Sequence, residues 1–190
     1  SMTIDGELPY DTASRITLSR VWVNEQEIYT DSRGNQVRPS QIQKEMWRSS
    51  DFGDTDGLFS EPLFFMLEKG RHEGTLSSER AQLAIESFKF YNPEELPTYS
   101  EYTASVSSSV TKDSTSNLFR IEGEDAVYKS DSTLYPTYDN TNYLVSPSDP
   151  RKVVYNTLGS GNWQKALQSV TWNISREDIK NSGWYKIGIK

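Results

Sequence analysis

The chain has no cysteine and a single histidine, and these two shortages exclude more chemistry than any feature it carries. Without cysteine there is no disulfide, no thiolate nucleophile and no Cys-ligated zinc or iron–sulfur cluster. The compartment stays open, because cytosolic, virion and surface proteins can all lack cysteine. With His72 alone, a metal site built on two or three histidines cannot be assembled within one chain. A Ser-His-Asp triad would have to use His72, and no Gly-x-Ser-x-Gly elbow exists to supply its serine. His72 stands in Arg71-His72-Glu73-Gly74 and reads as an exposed turn residue.

Long apolar runs are also missing. None approaches the roughly eighteen residues of a membrane span, and no signal-type hydrophobic region is present. Basic clusters never exceed a pair, and 20 Lys and Arg stand against 27 Asp and Glu for a net charge of −7. A phosphate backbone demands a basic footprint, so neither nucleic acid nor membrane insertion is expected. Gly159-Ser160-Gly161 lacks the Gly-Lys-Ser/Thr that would make it a phosphate loop, and Asp51-Phe52-Gly53 has none of the companion motifs of a kinase.

Large rings are what the chain does have: five Trp, eleven Tyr and seven Phe among 190 residues. Disordered chains are poor in aromatics, so a packed structure is expected, and few, large side chains suit β-structure with aromatic cross-strand pairs. Arg15–Val23 and Glu27–Thr30 read as strands, followed by the turn Asp31-Ser32-Arg33-Gly34-Asn35. Three short helices are then expected between residues 40 and 90. Ser40 with Gln43 forms a capping-box pattern for the first, which ends near Arg48. Ser60-Glu61-Pro62 opens the second, with Leu63, Phe64, Met66 and Leu67 as its apolar face. Ala81, Leu83, Ala84, Ile85 and Phe88 give core-helix spacing to the third, Ser78–Phe90.

Beyond Pro97 the composition changes. Eleven of the nineteen residues from Thr98 to Ser116 are Ser or Thr, which favours strand or loop, although Tyr99, Tyr102 and Val106 are spaced as on one face of a helix. Strands are expected at Leu118–Ile121 and Ala126–Lys129, at Tyr143–Val145, and at Lys152–Asn156. Two more, Ser169–Ile174 and Trp184–Ile189, flank a turn capped by Ser175 and Asp178 and stopped by Gly183. The expected fold is therefore mainly β, an antiparallel sandwich or jelly-roll-like arrangement with about three short helices, or else α+β. Residues 1–190 read as one domain, with a mixed part at 1–92 and a β-rich part at 97–190. Ser1-Met2 reads as a cloning remnant, and the strand pattern running up to Lys190 as that of a module within a longer chain or a homo-oligomer.

Two constellations invite a ligand. Tyr135, Tyr138 and Tyr143 supply flat apolar faces beside the hydrogen-bonding groups of Asp139, Asn140 and Asn142. That combination suits a sugar, and equally a protein surface, where Tyr brings contact area at low entropic cost. Asp51, Asp54 and Asp56, ahead of Gly57, offer oxygens to a hard cation such as Ca²⁺, but the twelve-residue loop template fails: its first ligand position would hold Phe52 and its last Leu63. No other cofactor is expected. Glu122 and Glu124, on one face of a strand, would serve a carboxylate-dependent carbohydrate-active enzyme. The expectation is a non-catalytic binding or structural module of a surface-exposed assembly, such as a virion, tail or cell-envelope component, with glycan or protein as ligand. The alternatives are that enzyme and a regulatory protein that blocks a partner.

Overall fold

A computed structural model describes residues 1–79, 83–107, 119–180 and 182–190. The strands, in chain order, are β1 (Met2–Ile4), β2 (Val21–Asn24), β3 (Tyr29–Thr30), β4 (Gln36–Val37), β5 (Gln41–Lys44) and β6 (Gly74–Leu76). After the helix α1 (Tyr99–Ser107) come β7 (Tyr128–Lys129), β8 (Pro136–Thr137), β9 (Thr157–Leu158) and β10 (Val170–Thr171). Mainly antiparallel β-structure is as expected. Among the described residues it is organised as one four-stranded sheet, β10-β7-β2-β5, and three two-stranded pairs, β1-β6, β3-β4 and β8-β9.

Contacts group the residues into two units. One comprises Ser1–Ala81 with Ile121–Asn173, the other Gln82–Arg120 with Ile174–Lys190. The composition change near Pro93–Pro97 falls inside the second unit.

The four-stranded sheet follows from Val21-Trp22-Val23, a β-branched and aromatic run suited to a half-buried pleat. In register, Val21 opposes Lys44, Val23 opposes Ile42 and Asn24 opposes Gln41, while Trp22 faces Gln43 on one side and Lys129 on the other. Alternation then puts Val21, Val23, Ile42 and Lys44 on one face, and Trp22, Asn24, Gln41, Gln43 and Lys129 on the other.

The three expected helices do not form. Gln41–Lys44 is β5, because a nine-residue helix is marginal on its own and pairing with β2 satisfies the same backbone groups. Residues 60–70 form no helix: the Leu63 amide, which a helix would give to the carbonyl four residues back, donates instead to Phe52 O at 2.7 Å. Residues 83–90 have no regular structure, and 80–82 lie outside the described residues.

The helix that does form among the described residues is α1, in the Ser/Thr-rich stretch expected to be strand or loop. Thr98 caps it. The Thr98 amide and hydroxyl donate to Glu101 Oε2 at 2.8 and 2.7 Å, and Glu101 N donates back to Thr98 Oγ1 at 3.3 Å. This reciprocal box outweighs the low helix propensity of the residues behind it. Thr103 and Ser105 turn their hydroxyls back onto the carbonyls of Ser100 and Tyr102, which removes their competition with the helix. The stretch from Ser108 to Leu118 lies outside the described residues.

The core is small. Among the described residues the buried apolar side chains are Met2, Ala13, Val21, Ala126 and Leu134, worth on the order of 10 kcal/mol together.

Candidate binding loop

The Tyr-rich segment starts on a fixed base. Leu134 and Pro136 are fully buried, and β8 pairs with β9 through Pro136–Leu158 and Thr137–Thr157, the two threonine hydroxyls 2.7 Å apart. Tyr135 is half-buried, with the Arg38 guanidinium 3.7 Å above its ring. Tyr138 stands at the rim, edge-on to Tyr155 with ring centres 6.1 Å apart.

From Asp139 onward the loop is shaped by its own side chains. Asp139 Oδ1 accepts the Thr141 hydroxyl at 2.7 Å, the Thr141 amide at 2.9 Å and the Asn142 amide at 3.2 Å. These bonds favour the ionised carboxylate, the Thr141 hydroxyl most, and hold its pKa below the usual Asp value. Asn142 Oδ1 accepts the Leu144 amide at 3.0 Å. Asn140 is exposed, and Tyr143 projects furthest, 91% accessible.

One residue that sequence reasoning passed over holds this loop in place. Asn156 is buried, and its Nδ2 donates to the carbonyls of Asp139 and Pro147 at 2.8 and 2.7 Å. Its Oδ1 accepts the Asp139 amide at 2.8 Å. Three bonds from one amide thus anchor both ends of residues 139–147. Locally, Val-Val-Tyr-Asn reads as the end of a strand, and nothing in that pattern signals the role.

The acidic loop is built differently. Asp54 is buried and its carboxylate accepts the amides of Asp56, Leu58 and Phe59 between 2.7 and 3.0 Å. These bonds, with Arg15 nearby, hold its pKa below the ordinary carboxylate value. Asp56 Oδ2 lies 2.8 Å from an Arg15 nitrogen, and Asp51 is exposed. Among the described residues no group of three or more His, Asp or Glu is placed to hold a metal ion.

Glu122 and Glu124 do not share a strand face: Gly123–Asp125 is a 3₁₀ turn, in which Glu124 is buried and Gly123 O accepts the Trp172 indole at 3.2 Å. The turn breaks the alternation on which the paired-acid arrangement depended.

His72 is exposed, as expected, but has partners that sequence reasoning did not foresee, and Lys129 was missed altogether. His72 Nδ1 lies 2.7 Å from Asp5 Oδ2 and its Nε2 lies 2.8 Å from Glu68 O. Both ring nitrogens therefore face acceptors, which favours the doubly protonated ring and raises its pKa. Lys129 is almost wholly buried, donates to Asn24 Oδ1 at 2.6 Å, and is lowered to a pKa of about 8 by desolvation. Asn24 Oδ1 also accepts Gln41 Nε2 at 2.7 Å.

No protein family matches the chain, and neither a curated protein nor a solved structure is significantly similar to it. Among the described residues no helix is long and apolar enough to cross a membrane.

Proposed function

We propose that the chain is a non-catalytic structural and binding subunit that completes its apolar packing against protein partners in a surface-exposed assembly. The observation that carries this reading is the number of large apolar side chains left in water. In the first unit Trp47, Leu58, Phe59 and Met66 are 62–90% accessible, and in the second Phe90, Leu96, Ile187 and Ile189 are 71–97% accessible. A soluble monomer rarely exposes apolar patches beyond a few hundred Å², and larger ones mark interaction surfaces.

The Tyr-rich loop supports the same reading. Tyr143 is presented on a backbone fixed by Asp139 and Asn156, and a rigid aromatic anchor loses little entropy on contact. Asp139 Oδ1 and Asn142 Oδ1 are each taken by backbone amides, which leaves fewer oxygens for a sugar's hydroxyls and favours a protein ligand.

Light scattering over a hundredfold concentration range, together with a hydrophobic-dye titration, tests the proposal. Association to masses above 21.7 kDa, with dye binding that falls as association proceeds, is the expected result. A monomer at every concentration that binds no dye would overturn it.

A further inference from the structure

We infer that Lys129 and Asn24 join covalently: the Lys129 amine attacks the Asn24 side-chain carbonyl and releases ammonia, leaving an isopeptide bond between β7 and β2. This goes beyond the assembly reading and does not rest on it.

Strand register brings the participants together. Lys129 opposes Trp22, and Asn24 lies two residues further along β2 on the same face. Diagonal neighbours of this kind are about 7–8 Å apart, a span that a long side chain crosses. Lys129 Nζ accordingly ends 2.6 Å from Asn24 Oδ1. With a C=O bond of about 1.2 Å, Nζ is then at most about 3.8 Å from the Asn24 carbonyl carbon Cγ. From the other side Gln41, opposite Asn24 in β5, donates Nε2 to the same oxygen at 2.7 Å. Three neighbouring strands thus supply one group each: a nucleophile from β7, a carbonyl from β2 and a hydrogen-bond donor from β5.

The surroundings make this amine reactive. Lys129 is 1% accessible, and among the described residues no carboxylate lies within ion-pair distance of it. Burying an ammonium without a counter-charge is costly. Desolvation lowers its pKa to about 8, so the neutral amine, with its lone pair free, forms at mild pH. An amine this buried meets no outside substrate. Its chemistry is confined to groups already beside it, and Asn24 is the one it touches.

The step balances without a further reagent. Rotation about Cε–Nζ replaces the donated N–H by the lone pair, which forms the Nζ–Cγ bond. The carbonyl π electrons move onto Oδ1, where Gln41 Nε2 stabilises the developing charge. One Nζ proton passes to Nδ2, the Cγ–Nδ2 bond breaks with its electron pair, and Nδ2 leaves as ammonia. Nothing is oxidised or reduced. Holding the two groups in contact replaces a bimolecular encounter by an intramolecular one. Until the bond closes, Lys129 is a free, titrating amine. Once closed, it ties together residues 105 positions apart.

The test is the intact mass of the wild-type chain, freshly folded and after prolonged incubation at about pH 9, where the free amine predominates. The expected result is a loss of one ammonia. Trypsin should then release residues 21–33 joined to residues 121–151, uncut after Lys129, and the chain should migrate faster in denaturing electrophoresis. Asn24→Ala, Lys129→Met and wild type incubated in urea should keep the full mass. Gln41→Met should slow closure about tenfold or more, with circular dichroism unchanged from wild type to separate lost chemistry from lost folding. A folded wild-type chain that keeps its full mass throughout would overturn the bond. So would an ammonia loss that leaves cleavage after Lys129 intact, which marks a succinimide at an asparagine.

Discussion

Truncating Asn156 is the sharpest perturbation of the candidate loop. Asn156→Ala removes three side-chain bonds of 2.7–2.8 Å and leaves the Asp139 amide and the carbonyls of Asp139 and Pro147 without their partner. Each such bond contributes about 1 kcal/mol net, so the expected loss is about 3 kcal/mol, read from the urea midpoint at constant slope. The loss should be local as well as global: amides in residues 139–147 should exchange faster than those of β2 and β5. Asn156→Asp sharpens the argument. Its carboxylate keeps an oxygen for the Asp139 amide but turns a second, once ionised, toward two carbonyl oxygens. Its folded pKa is then raised above the unfolded value, so the variant's stability declines as pH rises from about 4. A loss under about 1 kcal/mol for Asn156→Ala, with unchanged exchange at 139–147, would refute the anchoring role.

Three further outcomes are expected. The raised pKa of His72, set first by its bond to Asp5 and then by Glu68 O, makes its contribution complete below about pH 6.5 and lost as pH rises through the higher folded value. Proton NMR of the ring and amide exchange at Thr3 and Thr75 in β1 and β6 should report this, with Glu68 the other acidic neighbour, and His72→Gln should abolish the dependence. Asp54 has the opposite sign: its depressed pKa gives stability present above about pH 4 and lost as pH falls through the folded value, and Asp54→Ala should destabilise the loop at pH 7 and flatten that acid limb in a denaturation series. Lys129, lowered to about 8 by burial, disfavours folding while charged, so stability should rise between about pH 8 and the unfolded value near 10.5. Lys129→Met should remove that rise and stay within about 1 kcal/mol of wild type at pH 9, since Asn24 retains Gln41 as a donor.

What the sequence revealed of this fold depended on whether a local signal had a partner to act on. Val21-Trp22-Val23 could be read because its neighbours, β5 and β7, are in the chain. The turn at Asp31–Asn35 was legible because Asp31 supplies its own acceptor for the Arg33 and Asn35 amides. Helices at 60–70 and 78–90 were misread because an apolar face signals a helix only where something covers it. Phe64, Leu83, Ile85 and Phe88 remain exposed, so the spacing had no packing to enforce it. In the case of α1 the deciding signal was four residues long: Thr98 and Glu101 form the box, and Ser/Thr content concealed it. For the binding loop, Tyr138, Asp139 and Tyr143 were visible by composition. The long-range residue that fixes them, Asn156, was not, because its three bonds span up to seventeen positions and leave no local trace.

The account's central claim is that this chain leaves apolar surface to be covered by another protein, and the urea m-value of the dilute monomer tests it most directly. The slope scales with surface exposed on unfolding. With Trp47, Leu58, Phe59, Met66, Phe90, Leu96, Ile187 and Ile189 already 62–97% accessible, unfolding should give a smaller slope than that of a protein of equal length that buries such side chains. A monomer with the full slope would bury that surface on itself and contradict the claim.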